Sequence, residues 1–349
     1  MDVLIVGDQF IPARCYLDAF GTHDDGELIA VRAVDWAGDK AEQHELQQRM
    51  ERAGPNVLDP PFEFLDAMRD AEALCLHFAP VGRALLDAAP RLRLIAVARS
   101  GLENVDVTAA TARGIGVAPA HGRNAGAVAE LQIGLILAEA RNIARADASI
   151  KEGGWRKEFP GLRLELTGRV VGMVGFGHVG RAFAQRVAGF GVRLLAHDPL
   201  CSDELLARYD AERASSLEEV FAAGDFVVVQ ARLTEQTERF ITARHLALMP
   251  PHAYFINVSR SRLVDNDALL DVLERHAIAG AGLDVFDEEP LPADSPWRKL
   301  DNVTLTTHFG GDTEDTNRRS AGLVADAVMA FARQGRVPAA ANAVELGWA

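Results

Sequence analysis

Apolar and polar positions alternate along the 349-residue chain so as to mark short apolar runs separated by stretches of helical spacing. In the first third the runs are Val3–Val6, Leu74–Phe78 and Leu94–Ala98, with helical segments over Phe62–Arg69 and Val81–Ala88. A polar segment, Asp39–Arg52, has few apolar anchors and reads as a surface helix, and Pro55, Pro60 and Pro61 close that region. This β–α alternation predicts a small α/β domain. Val117-Ala118-Pro119 is a short extended piece. From Asn124 a long helical stretch, AGAVAELQIGLILAEARNIARAD, is apolar on most sides, so it must be buried between layers or domains. From Arg169 the alternation becomes regular, with strands near 170–174, 192–197, 225–230, 253–257, 278–283 and 303–306. Helices fall between several of them, including Arg244–Leu248 and Asn266–His276. Uninterrupted apolar runs such as Phe226-Val227-Val228-Val229 indicate a parallel sheet covered on both faces. A last helix, about Thr313–Gln334, returns to the N-terminal domain.

The stretch Arg169–Asp198 carries the sharpest signal. An apolar run ends in Gly175-Phe176-Gly177-His178-Val179-Gly180, and helical spacing follows with Val179, Phe183, Val187 and Phe190 on one face. A second apolar run, Val192–Ala196, ends at His197-Asp198. Strand, glycine turn, helix, strand and acid is the order of a dinucleotide-binding unit. Gly175 permits the sharp turn, Gly177 lets a pyrophosphate approach the backbone, and Gly180 lets helix and strand pack closely. The helix N-terminus offers free N–H groups and partial positive charge. Asp198 can accept hydrogen bonds from the adenosine ribose and would repel a 2′-phosphate, which favours NAD over NADP.

Composition narrows the class. The length suits two domains. A net charge of −14 argues against a nucleic-acid or anionic-membrane surface. Cys15, Cys75 and Cys201 are scattered, which fits reduced packing residues in a cytoplasmic protein. The N-terminus has no basic region of a signal peptide, and no apolar run approaches a membrane span. No His/Asp/Glu cluster has metal-ligand spacing.

Three polar stretches follow predicted strands, where open α/β sheets bind ligands. They are Asn257-Val258-Ser259-Arg260, the run Gly282 to Pro290 (GLDVFDEEP), and Thr306-Thr307-His308-Phe309-Gly310-Gly311. Together with Arg99-Ser100-Gly101, Asn104-Val105-Asp106, Asn124, Val128-Ala129-Glu130 and the GFGHVG turn, they make the chain resemble the D-isomer-specific 2-hydroxyacid dehydrogenase family over nearly its whole length. The resemblance implies an α/β fold of two doubly wound parallel-sheet domains. A Rossmann NAD domain (118–308) is inserted into a flavodoxin-like substrate domain (1–117 and 309–349). It implies an Arg-Glu-His active site at Arg260, Glu289 and His308, with Glu288 as the rival to Glu289. Arg260 can grip a 2-keto carboxylate and polarise the C2 oxygen, and it also adjoins the cofactor. His308 can exchange a proton with that oxygen, and Glu289 can fix its tautomer and favour its charged form. The resemblance places Gly175, Gly177, His178, Val179, Gly180, Asp198, Ala231, Val258, Ser259, Asp284, His308 and Gly310 at the cofactor, with Asp284 at its nicotinamide end. It places Ser100 and Gly101 at the substrate carboxylate, offering backbone N–H groups. It also implies a homodimer.

Departures from the family pattern bear on the substrate. Ser261-Arg262 follows the arginine where a glycine pair is frequent, Arg232 replaces a frequent proline, and Thr307 precedes His308 in place of proline. The loop Leu76-His77-Phe78-Ala79-Pro80 has no Arg or Lys until Arg83, and no regulatory extension follows residue 349. These features point to a small, polar, non-phosphorylated hydroxy acid, such as a sugar-derived acid, with His77 and Arg232 as candidate substrate contacts. The alternatives are D-3-phosphoglycerate dehydrogenase proper and, in a different class, an NAD-sensing corepressor-like binding protein. A formate-type dehydrogenase ranks low, because that subgroup has Gln where Glu289 stands.

Overall fold

The computed structural model describes residues 1–23, 28–36, 38–59, 62–159 and 164–348; Pro60 and Pro61 lie outside them. The chain forms two compact units, Met1–Arg123 with Thr313–Ala349, and Asn124–Asp312. The crossings fall at Arg123/Asn124 and Asp312/Thr313, where the sequence reading put them after Val117 and His308.

The first unit is built on strands β1 (Asp2–Gly7), β2 (Ala30–Asp35), β3 (Ala73–Leu76), β4 (Leu94–Val97) and β5 (Gly116–Pro119). Their order is β2-β1-β3-β4-β5, all parallel, which is the flavodoxin-like order. Because strand side chains alternate in direction, each strand feeds two cores. Leu4, Val6, Leu74, Leu76, Ile95 and Val97 fill one side. Val3, Ile5, Ala73, Cys75, Leu94 and Ala96 fill the other, against Tyr16 of the helix Ala13–Phe20 and Val324, Val328 and Met329 of the helix Glu314–Gln334. The last helix thus belongs to this unit, as its apolar pattern implied. The polar segment is the helix Lys40–Ala53, started by a capping box in which Asp39 takes the N–H of Glu42 and Glu42 reaches back.

The second unit holds β6 (Val170–Val174), β7 (Arg193–His197), β8 (Ala211–Arg213), β9 (Phe226–Val229), β10 (Tyr254–Asn257), β11 (Gly280–Leu283) and β12 (Val303–Leu305). The order is β12-β11-β10-β9-β6-β7-β8, again fully parallel. Winding reverses between β6 and β9, the topological switch point of a dinucleotide-binding sheet. The long apolar helix, Ala125–Arg141, buries Leu135, Ile136 and Ala140 in the same core as Tyr254 and Ile256. Its Glu139 is wholly buried and meets Arg145 at 2.7 Å.

One sequence expectation fails in the helix after the glycine turn. The α-helix His178–Val187 buries Phe183 and Val187, but Ala188–Phe190 tightens into a 3₁₀ turn that closes at Gly191 in a left-handed conformation. Phe190 therefore leaves the apolar face and is 37% exposed. No helix among the described residues is long and apolar enough to cross a membrane. Among those residues no group of three or more His, Cys, Asp or Glu is placed to hold a metal ion.

Candidate active site

The glycine turn runs from the end of β6 into the helix His178–Val187, facing the switch point. Gly175 has φ +97°, and a Cβ there would sit 2.9 Å from the Ala231 nitrogen, so both conformation and space demand glycine. A Cβ on Gly180 would sit 2.6 Å from Gln230 Oε1 and 3.2 Å from the Gly175 oxygen, the close packing expected of the third glycine. A Cβ on Gly177 would meet nothing within 4 Å, so the backbone before the helix N-terminus is open to an approaching group. His178 and Val179 are the first residues of that helix, where N–H groups lack intrahelical acceptors.

Asp198 follows β7 directly. Its Oδ2 accepts the Phe176 N–H at 2.7 Å, and its Oδ1 accepts the Leu200 N–H at 2.9 Å. The acid therefore stands beside the glycine turn and helps hold it, a contact not read from sequence. The residues fit a bound dinucleotide: an open glycine at a helix N-terminus for the phosphates, and a carboxylate at the end of the next strand for the ribose.

Arg260, Glu289 and His308 follow β10, β11 and β12, three adjacent strands of the sheet. Arg260 and His308 are each positioned by a buried residue at a strand end. Asn257, 2% exposed, accepts the Ser259 N–H at 3.0 Å through its side-chain oxygen and donates to the Arg260 oxygen at 3.1 Å. Ser259 Oγ donates to the Ala231 oxygen at 2.7 Å, tying the loop after β10 to the loop after β9. Val258, between them, is buried. The Arg260 guanidinium is exposed and donates to the Ser259 oxygen at 2.8 Å.

Asp284 is the second anchor, 1% exposed. Its Oδ1 accepts Thr306 Oγ1–H at 2.6 Å and the Phe309 N–H at 3.2 Å, and its Oδ2 accepts the Gly310 N–H at 3.0 Å. A Cβ on Gly310 would press on this carboxylate at 3.0 Å. Asp284 thus clamps the turn that carries His308, leaving about one of its roughly four lone-pair sites for a ligand.

His308 Nδ1 lies 2.7 Å from Glu289 Oε2, and Glu289 Oε1 accepts the Phe286 N–H at 2.9 Å. Glu289, rather than Glu288, meets the histidine. Burial pushes the Glu289 carboxyl up, but the hydrogen bonds from His308 and Phe286 and the charges of His308 and Arg260 outweigh it and hold its pKa below the ordinary 4.5. The carboxylate accepts from Nδ1–H, so Nε2 is the nitrogen left to exchange a proton.

The remaining sequence candidates divide between the units. Arg232, in the loop after β9, is exposed, and its carbonyl accepts Thr237 Oγ1–H at 2.7 Å. Ser100, Gly101 and His77 lie in the first unit, after β4 and β3. Ser100 Oγ donates to the Ala120 oxygen at 3.3 Å. His77 is 2% exposed, with Nδ1 3.2 Å from Asp8 Oδ2. The loop after β3 has a cation beside it that no linear reading shows. Arg99 lies over the Phe78 ring, 4.9 Å from its centroid, and pairs with Glu103 at 3.3 Å. The residues that sequence reasoning missed are Asn257 and Asp8 as anchors. Their signal was a small polar residue directly after an apolar strand.

Residues 133–310 match the family model described as "D-isomer specific 2-hydroxyacid dehydrogenase, NAD binding domain". The chain is 38% identical over 285 residues to a glyoxylate reductase of Thermococcus litoralis, covering 78% of this chain and 84% of that one. It is 37% identical over 268 residues to a D-3-phosphoglycerate dehydrogenase of Methanocaldococcus jannaschii. That match covers 76% of this chain and only 51% of the relative, so the chain spans about half the relative's length. Among solved structures, an NADPH-dependent glyoxylate/hydroxypyruvate reductase of Sinorhizobium meliloti superposes with a TM-score of 0.70 at 27% identity. It covers 96% of this chain and 95% of that one.

Proposed function

The chain belongs to the D-isomer specific 2-hydroxyacid dehydrogenase family, and on that premise we propose that it transfers a hydride between C4 of a nicotinamide and C2 of a small D-2-hydroxy or 2-keto acid. The observation that carries this reading is the 2.7 Å contact of His308 with Glu289, in the loops after β12 and β11, with Arg260 in the loop after the adjacent β10. NADH supplies the hydride when bound. Arg260 binds the substrate carboxylate and draws charge from the C2 oxygen. His308 Nε2 gives that oxygen its proton in reduction and takes it back in oxidation. Glu289 holds the tautomer that makes this possible.

Gly175, Gly177, His178, Val179 and Gly180 hold the pyrophosphate, and Asp198 holds the adenosine ribose. Ala231, Val258, Ser259, Asp284 and Gly310 line the rest of the cofactor site. Asp198 supports NAD over NADP, although the Sinorhizobium relative is NADPH-dependent. Ser100, Gly101, His77 and Arg232 are the proposed substrate contacts. A non-phosphorylated substrate is supported by the pairing of nearby cations, Arg83 with Asp106 at 3.4 Å and Arg99 with Glu103. Assay of a panel of 2-keto acids with NADH and with NADPH tests the activity. Turnover of 3-phosphoglycerate well above that of glycerate would overturn the substrate assignment.

We also propose a cytoplasmic homodimer. The three free cysteines suit a reducing compartment. Ile143, Ile150 and Trp155 are 55%, 56% and 75% exposed in one stretch of the second unit, an apolar surface that a second copy would cover. Sedimentation of the native chain and of an Ile150→Asp variant checks the assembly.

A further inference from the structure

The second unit carries a groove of about 450 Å³ that includes none of Arg260, Glu289 and His308. One wall belongs to the helix His178–Val187 and the turn after it. Arg181, Ala184 and Ala188 stand three and four residues apart there, so they share one face. The other wall starts at Leu205 of the helix Asp203–Ala207. It continues through Arg208, Tyr209 and Asp210, the last in a left-handed conformation with φ at 52°.

The polar groups of both walls are unpaired. Among the described residues the Arg208 guanidinium, the Tyr209 hydroxyl and the Asp210 carboxylate enter no hydrogen bond or ion pair. Arg208 acts on Glu204 only through its charge. Arg181 donates from Nε to the Gly177 oxygen at 3.2 Å, and its two terminal nitrogens have no partner among those residues. On a flat surface water would serve such groups. A concave site with an apolar floor, here Ala184, Ala188 and Leu205, converges them on one ligand. The groove also touches the glycine turn from both walls. Arg181 holds the Gly177 oxygen, and the Tyr209 ring meets Phe176 edge-on, 5.7 Å between centroids.

We propose that this groove is a second ligand site, which takes a free α-amino acid with a compact apolar side chain and acts on cofactor binding through the glycine turn. The carboxylate goes to Arg181 and Arg208, with the Tyr209 hydroxyl as a further donor. Asp210 opposes a dianion and takes the ammonium group. The side chain lies on the alanines and Leu205. Arg181 stands in the first turn of the helix whose N-terminus receives the cofactor phosphates, so its charge adds to the attraction. A carboxylate on Arg181 offsets that charge, and the occupied groove weakens NADH binding.

The test is calorimetric titration of the native chain with L-leucine, 4-methylpentanoate (leucine without its ammonium group) and 3-methylbutylamine (leucine without its carboxylate). Leucine should bind saturably and at least about tenfold tighter than either fragment. Saturating leucine should raise the NADH Kd about fivefold, and NADH should weaken leucine by the same factor. Arg208→Gln should lower leucine affinity about tenfold. Ala188→Phe, which fills the groove from an exposed position, should abolish binding. Both variants should melt and bind NADH as the native chain does. Absence of saturable binding by leucine, valine and alanine overturns the site. Equal affinity for the three probes overturns the ligand class, and leucine affinity unchanged in both variants overturns the location. An NADH Kd that leucine leaves unchanged overturns the link to the glycine turn.

Discussion

His308 meets Glu289 at 2.7 Å from a left-handed backbone, with φ at 57°. A bulky residue there costs about 1–2 kcal/mol relative to the right-handed region. The Asp284 clamp on Phe309 and Gly310 holds it there. Asparagine tolerates this conformation better than alanine does. His308→Asn should therefore melt close to the native protein while His308→Ala melts lower. Both should lose at least about a hundredfold in kcat and still bind NADH. Thermal melts with fluorescence titration of NADH check both halves; turnover retained in either variant removes His308 as the acid/base.

Glu289→Gln should lower kcat by about a hundredfold with the NADH Kd unchanged. The folded protein lowers the carboxyl pKa, so its contribution to stability is complete above the ordinary 4.5 and disappears as pH falls through the lowered value. The melting-temperature gap between native protein and variant should be widest near neutrality and close on acidification. A gap that widens toward acid contradicts the sign. The same variant separates an enzyme from a binding protein, whose partner binding should survive it.

Asp198→Ala should weaken NADH binding and narrow the discrimination against NADPH by about tenfold or more, since a like charge near the 2′-phosphate is removed. It also frees the Phe176 and Leu200 N–H groups, so a small drop in melting temperature accompanies it. Native preference for NADPH in competitive titration would defeat this reading of Asp198.

Asp284→Asn leaves one oxygen to serve three donors. The loss should be about 2 kcal/mol, seen as a melting temperature several degrees lower. Because the turn carrying His308 loosens, kcat should fall as well. An unchanged melting temperature would show that the clamp is dispensable.

The nucleotide unit was legible because its signals are local: the glycine turn, the apolar runs on either side and the acid at the second strand end lie within thirty residues. Arg260, Glu289 and His308 were legible because each follows a strand. The edge strand β2 was not, since most of its positions are exposed and carry no alternation. Pairings distant in sequence were equally hidden. Asp8 and His77 are 69 residues apart, and Arg99 reaches Phe78 from another loop. That Asn257 and Asp284 act as clamps was hidden, although Asp284 was placed at the cofactor, because nothing in a linear pattern tells which backbone groups a side chain will satisfy. Phe190 misled because its spacing was helical while the chain at Gly191 required a tighter turn.

The adjacency of β10, β11 and β12 acts as a ruler. Rungs of a parallel ladder repeat at about 4.8 Å whatever the connections between them do. The strand ends Asn257, Leu283 and Leu305 stay in step even when the intervening segments, 261–279 and 290–302, lengthen or shorten. The strand ends that lead to Arg260, Glu289 and His308 are thereby insulated from drift in the connections of the unit.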